Sequence, residues 1–252
     1  MKNEVIKKFA AYQQEHGWKT FYRCPALNEN GAVRAENIKW ICDNFAGLAA
    51  IESQNRESYV VKHDGVMPQL CTNRTEEMIA MAIANAVNAG DNPFKDIALT
   101  KCEYQVPLKK DNKTGKGIGK GIDLVGVDEK SKVAFLMELK KPPKFKEGVK
   151  VAGQKEESVL RCLLEAYTYA KWVDNDAFRR DFGVKNIAIC PVVFNCSRAH
   201  QEWENRDVNG ISELVKMMER DGVKVHFEHL DYSKCGFRPF LVKAKSAEVP
   251  KC

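Results

Sequence analysis

The chain has 252 residues, 44% of them hydrophobic and 29% charged, with a formal net charge of +6. That is the composition of a globular protein with a core of its own, and no apolar run approaches the roughly 20 residues a membrane span needs. Nine cysteines occur without a CxxC pair, and the N-terminus MKNEVIKKFAAYQQ has no apolar signal-peptide block, so a zinc or iron–sulfur centre is not indicated and reduced thiols in a cytoplasmic protein are expected.

Residues 1–16 read as a helix with Val5, Ile6, Phe9 and Tyr12 on one stripe. Residues 18–24 read as a short strand, 25–31 as a loop and 35–52 as a second helix carrying Ile38, Ile41, Phe45 and Leu48. A strand at 59–63 is expected before a turn at 65–68. Residues 1–70 carry no chemical motif and form an α-rich N-terminal extension: a lid, a substrate-reading subdomain or a partner surface. The domain proper is expected at 71–252.

Thr75 caps a helix reaching about Asn88, with Met78, Ile79, Ala82, Ile83 and Val87 inward. Its first-turn acids, Glu76 and Glu77, complement the helix macrodipole. Residues 104–108 read as a strand that ends or lies at an edge at Pro107. The following GKGIGKG is not a Walker A loop, because three residues rather than four separate Gly115 from Gly119 and a strand follows.

Two apolar strands at 122–127 and Val133–Leu139 are joined by a polar turn at 128–132. A turn centred on Lys130 and Ser131 pairs Asp128 with Val133 and Val125 with Leu136, and sets Asp123 opposite Glu138. Lys140, two residues on, returns to the same face. Two carboxylates and an ammonium therefore converge at one end of a hairpin that is apolar on both faces, as in the middle of an α/β sheet. Carboxylates that close repel unless a cation stands between them.

Downstream, Pro142 and Pro143 end the strand and a basic loop runs to about Lys155. Residues 157–173 are a strong helix, within which Arg161 and Glu165 are accounted for as an i,i+4 pair on a solvent face. Asn186–Phe194 is a buried strand, 200–220 is largely helical, and 223–231 and 237–244 are closing strands. His226 and His229 lie three apart on a strand and so face opposite sides, and no nucleophile elbow supports a Ser/His or Cys/His hydrolase.

Charge is concentrated around the hairpin. Residues 109–120 hold five lysines and one aspartate, and 140–155 hold six lysines and one glutamate. Lysine runs are commonly solvated loops, but beside an acid site they suit a polyanionic substrate. The candidates for that grip are Lys109, Lys110, Lys113, Lys116, Lys120, Lys141, Lys144 and Lys146.

Asp123 followed by Glu138-Leu139-Lys140, within an order of helix, three strands, helix and strand, resembles the PD-(D/E)XK nuclease superfamily. Glu165-Ala166-Tyr167-Thr168-Tyr169 is similar to the Gln-x-x-x-Tyr helix motif of its RecB-like branch, with Glu for Gln. Glu77, or Glu76, is similar in position to the acid many members carry on the first core helix. The resemblance covers roughly half the chain, and Ile122 stands where the motif name has proline. It implies a restriction-endonuclease-like α/β core, a mixed sheet flanked by helices. It implies Mg²⁺ or Mn²⁺ held by Asp123, Glu138 and the Leu139 carbonyl, with Lys140 positioning water. Catalytic parts for Glu77 and Glu165 are implied too, with Glu76 and Tyr169 supporting. The expected activity is metal-dependent hydrolysis of phosphodiesters, with DNA as the first candidate and RNA left open. No membrane partner is expected, and a homodimer is one way to place two sites on a duplex. The alternatives are a silent nuclease-fold protein that binds nucleic acid or a protein partner without cutting, and acids that merely pair with lysines at a sheet end.

Overall fold

The computed structural model describes residues 3–60, 75–108, 121–146 and 149–231, with the backbone alone at Thr75, Phe145 and Lys146. Strand β1 (Lys101–Pro107) leads to the expected hairpin of β2 (Gly121–Asp128) and β3 (Val133–Leu139), each antiparallel to its neighbour. The turn is locally encoded. Asp128 Oδ1 accepts the Lys130 amide at 2.9 Å and the Ser131 amide at 3.2 Å, and Lys132 takes a left-handed φ of 56°. Asp128 faces Val133 and Val125 faces Leu136, the register a turn at Lys130 and Ser131 requires.

Within the basic stretch that follows, β4 (Phe145–Lys146) and β5 (Val149–Lys150) pair as a small separate ribbon. The chain then returns through helices to β6 (Asn186–Phe194), which lies parallel to β3. A parallel return needs such a crossover. The two short strands β7 (Lys224–Val225) and β8 (Glu228–Leu230) both pair with β6. The result is an α/β protein with a six-stranded mixed open sheet in the order β1-β2-β3-β6-β7, with β8 also beside β6.

The helices are α1 (Glu4–His16), α2 (Ala35–Asp43), α3 (Phe45–Ala49), α4 (Thr75–Asn88), α5 (Val159–Trp172), α6 (Asn175–Phe182), α7 (Arg198–Glu204), α8 (Arg206–Asn209) and α9 (Ile211–Arg220). Two of them cover the sheet. Ile79, Ile83 and Val87 of α4 share one core layer with Leu124, Met137 and Leu139. Leu160, Leu163 and Leu164 of α5 share the other with Val125, Val127 and Leu136. The helices at the N-terminus join that second layer, since Phe9, Phe21, Tyr22 and Ile38 belong to the same buried cluster. Among the described residues no helix is long and apolar enough to cross a membrane.

Several expectations are corrected. Residues 18–24 are not a strand but a 3-10 helix, Trp18–Arg23, followed by a second at Pro25–Asn28. The buried positions there are 21, 22, 24, 26 and 27, which do not alternate as a strand's would. The helix expected over 35–52 breaks at Asn44, whose side chain donates back to the Trp40 carbonyl at 2.8 Å. Tyr59 is not in a strand. It is buried against Phe178, and its amide donates to Asp181 Oδ2. The short helix α6 was not foreseen, although Asp174 caps its start and left-handed Gly183 its end. The helix over 200–220 is three pieces, α7 to α9. The rest of the 59–63 strand, the 65–68 turn, the glycine-lysine segment 111–120 and the 237–244 strand lie outside the described residues.

Candidate active site

The site is built where β2, β3 and α5 meet. Strand alternation puts Leu136, Glu138 and Lys140 towards α5. The Lys140 amide continues the ladder by donating to the Val192 carbonyl at 3.0 Å, so its Cα is fixed by the sheet. Helix α5 begins at Ser158, whose hydroxyl accepts the Arg161 amide at 3.1 Å. From there Glu157, Arg161, Glu165 and Tyr169 follow at intervals of four, one turn apart along one face.

Lys140 is the hub. It is 5% exposed, and its ammonium lies 2.5 Å from Glu138 Oε1, 3.0 Å from Glu165 Oε2 and 3.1 Å from Glu157 Oε2. Burial alone would pull a lysine pKa down, but the three carboxylates more than reverse it and hold Lys140 well above its ordinary value. Lys140 is thus a fixed cation and not a proton acceptor. Glu165, 1% exposed, also takes a hydrogen bond from Tyr169 Oη at 3.0 Å. The solvent-face explanation of an Arg161–Glu165 pair therefore fails. Arg161 Nη1 instead binds Glu157 Oε1 at 2.7 Å, and its Nε stays 3.9 Å from Glu165. Burial works against the Glu157 charge, yet Lys140 and Arg161 hold its pKa below the usual value.

The paired part of the β2–β3 ladder keeps the expected register and stops one step short of Asp123 and Glu138. The β2–β3 ladder begins at Leu124 and Met137, and the β1–β2 ladder skips from Leu124 to Ile122 across Gln105, which has φ of 50°. The offset between the two strands is the same on either side of that position, so Gln105 and Asp123 face each other with no inserted residue. Asp123 Oδ2 accepts the Leu139 amide at 3.1 Å, and Oδ1 accepts from Gln105 Nε2 at 3.2 Å. What Leu139 presents to Asp123 is thus its N–H. Burial pushes the Asp123 pKa to about 6; Lys140 and the Leu139 amide oppose this, while Glu76 and Glu165 add to it.

Glu138 is likewise raised well above its ordinary value, by burial first and then by the charges of Asp123 and Glu165. It faces the Glu165 carboxylate, and its buried Oε2 finds no donor among the described residues. Beneath it Cys162, one of six described free cysteines, donates its Sγ–H to the Glu138 carbonyl at 3.3 Å, and burial keeps that thiol protonated.

Of the two first-helix acids, Glu76 reaches the site. Its Oε1 accepts the Lys141 amide at 3.2 Å, and its charge is felt at Asp123. Glu77 lies towards Tyr104 on β1, whose phenol pKa is raised by burial and then by Glu77 and Glu103.

Beside the hub runs a groove of about 290 Å³ lined by Lys141, Pro143, Lys144, Gln154, Lys155 and Ser197 among others. Gln154 fixes its wall by accepting the Lys144 amide at 2.6 Å and donating to the Lys144 carbonyl at 3.2 Å. Lys141, Lys144 and Lys155 are exposed along it. Lys109, Lys110, Lys113, Lys116 and Lys120 lie outside the described residues, as does the side chain of Lys146.

Two members of the site were missed. Glu157 is legible in the four-residue spacing from 157 to 169, although at the start of a helix an acid has an ordinary structural explanation. Tyr22 comes from the N-terminal segment and gives no local signal. It is 1% exposed and meets Tyr169 edge-on at 6.1 Å between ring centroids. His226 and His229 take no part. His226 stands 5.0 Å from the Phe135 ring and His229 4.7 Å from His200.

Among the described residues no three ligand side chains already stand at metal-binding spacing. The donors nonetheless fit a hard cation. Asp123 and Glu138 offer carboxylate oxygens, one of them a buried acceptor without a donor among the described residues, and both have pKa values raised, by burial first. Mg²⁺ is commonly held by one or two carboxylates with waters completing its octahedron.

No family model, curated protein or solved structure matches the chain.

Proposed function

We propose that the chain is a metal-dependent nuclease of the PD-(D/E)XK type, with the restriction-endonuclease-like core that its element order resembles. The observation that carries the reading is the buried Lys140 hub, with its ammonium held by Glu138 and Glu165 and with Asp123 of β2 accepting the Leu139 amide of β3. A buried charge cluster at the end of a central sheet, beside a lysine-lined groove, is costly for the fold and suits a reaction on a polyanion.

Asp123 and Glu138, with the Leu139 carbonyl, would hold Mg²⁺ or Mn²⁺. When bound, that ion supplies Lewis-acid stabilisation of the phosphodiester and acidifies a coordinated water. The protein's own residues have distinct tasks. Lys140 remains protonated and offers fixed positive charge where negative charge develops on phosphorus-bound oxygens. Glu165 and Glu157 hold that ammonium in place, and Tyr169 fixes Glu165 in turn. Glu76 lies close enough to Asp123 to tune it electrostatically. Lys141, Lys144 and Lys155 line the groove as phosphate contacts, and DNA is the substrate class that we favour.

The test is cleavage of plasmid and oligonucleotide DNA, and of RNA, in Mg²⁺ or Mn²⁺. Asp123→Ala and Lys140→Ala are expected to lower the rate at least about 1,000-fold with the circular dichroism spectrum retained. A wild-type chain that binds no divalent cation and cuts no nucleic acid overturns the reading. One observation favours a second reading, binding without cutting: all three Lys140 N–H groups already face carboxylates. Nucleic-acid binding without metal uptake in a calorimetric titration would select it.

A further inference from the structure

We infer that Arg23, contributed by the N-terminal segment, is a substrate-positioning residue of this site whose guanidinium takes a phosphate oxygen of the bound strand. The inference rests on the nuclease reading above and adds a residue that neither the ExK motif nor the lysine runs indicate.

The segment that carries Arg23 is held along α5 at three points. Lys19 Nζ lies 4.8 Å from the Trp172 ring centroid, Tyr22 meets Tyr169, and Ser158 Oγ donates to the Leu27 carbonyl at 2.6 Å. Residues 19 to 27 therefore run antiparallel to α5, whose own face carries Glu157, Glu165 and Tyr169. Tyr22 is buried between this segment and the acids, while Arg23 is exposed at the rim.

The guanidinium is already oriented. Its Nε–H donates to Tyr22 Oη at 3.0 Å, and its central carbon lies 5.3 Å from the Tyr22 ring centroid. From Tyr22 the chain of contacts is short: Tyr22 ring to Tyr169 ring, Tyr169 Oη to Glu165 Oε1, Glu165 Oε2 to Lys140 Nζ. The Tyr22 phenol lies within range of the Glu165 and Glu138 charges, which add to the burial that raises its pKa. Yet no ion pair joins Arg23 to a carboxylate among the described residues. A cation pinned through Nε to a phenol, on a segment packed against an acidic cluster, and with no hydrogen bond from its terminal nitrogens among the described residues, keeps a planar fork for something else that is anionic. A phosphodiester fits that fork, and pinning Nε lowers the side-chain entropy lost on binding. Residues 1–60 then complete the site and are not a bystander to it.

The experiment is fluorescence anisotropy of a labelled DNA oligonucleotide, single-stranded and duplex, with Ca²⁺ in place of Mg²⁺, across a salt series. Arg23→Ala should weaken binding about tenfold and reduce the slope of log K against log salt by about one, as for one lost phosphate contact. Arg23→Lys should restore the slope and only part of the affinity, because the fork is lost and the charge is kept. The melting temperature should stay within about 2 °C, since the side chain is exposed. A lowered melting temperature with unchanged affinity and slope makes Arg23 structural and overturns the inference. Equal binding by wild type and Arg23→Ala overturns it alone, whereas no binding by the wild-type chain overturns the nuclease reading along with it.

Discussion

Replacing Lys140 with methionine keeps the stem and removes the ammonium from between Glu138 and Glu165, which are 4% and 1% exposed. Glu157 keeps Arg161 as a partner at 2.7 Å, so its loss is small. Glu138 loses its contact at 2.5 Å, and Glu165 keeps the Tyr169 hydroxyl and the distant Arg161. Removing one partner of a buried ion pair costs about 3–5 kcal/mol, because the remaining charge is stranded. Proton uptake by Glu138, whose pKa is already raised, relieves the second carboxylate, so the whole effect should stay near about 4 kcal/mol at pH 8. On a chain of this size that lowers the melting temperature by roughly 8–16 °C. Glu138 and Asp123 gain protons as pH falls, and a neutral carboxyl no longer needs the ammonium. The loss should therefore shrink by at least about 1 kcal/mol between pH 8 and pH 5.5. Urea unfolding at both pH values, followed by circular dichroism, measures it. A Lys140→Met variant as stable as wild type at pH 8, or one whose deficit is the same at pH 5.5, refutes the account of Lys140 as the neutralising cation.

Ser158→Ala tests how the N-terminal segment is tied to α5. Ser158 Oγ accepts the Arg161 amide and donates to the buried Leu27 carbonyl, so removing it costs a helix cap and strands an acceptor. The expected loss is about 2–3 kcal/mol, read as a melting temperature lower by roughly 4–12 °C, and a shift under about 1 °C would contradict it. His226 has its pKa lowered below the ordinary value, by burial and then by the Lys224 charge. Above the unfolded pKa of about 6.5 neither state holds the proton. Below it the unfolded chain is protonated first, so stability falls until the folded pKa is passed. The wild-type curve should thus drop relative to His226→Gln between pH 7.5 and pH 5, and parallel curves would refute this.

Much of the hairpin is local information, and for that reason it is legible. The period of two in Val133–Leu139, the Asp128 turn and the apolar flanks set a register that the ladder reproduces at each pair from Asp128 to Leu124. The same period places Glu138 and Lys140 on one face, where they meet. At Asp123 this logic stops. Gln105, whose left-handed φ and side-chain amide meet Asp123, lies on another strand, and no pattern within residues 121–140 announces it.

The other differences have one kind of cause. Residues 18–24 are rich enough in aromatics to suggest a strand, yet they fold as 3-10 turns in which Trp18 and Phe21 pack on Phe9 and Trp40 while Tyr22 packs on α5, over a hundred positions away in sequence. Glu76 and Glu77 are adjacent on one helix and equally acidic. The rotation of α4 about its axis, fixed by Ile79 and Ile83 against the sheet, turns Glu76 to Lys141 and Glu77 to Tyr104. Glu165 looked like half of a surface pair until α5 was laid on β3, which buried it against Lys140. Periodicity, turn residues and the spacing of charges are properties of neighbours along the chain, and they sufficed for the elements and for the Glu138–Lys140 pair. Which face of a helix meets the sheet, and which distant segment closes over it, depend on the fit of whole surfaces, and that fit assembled the site.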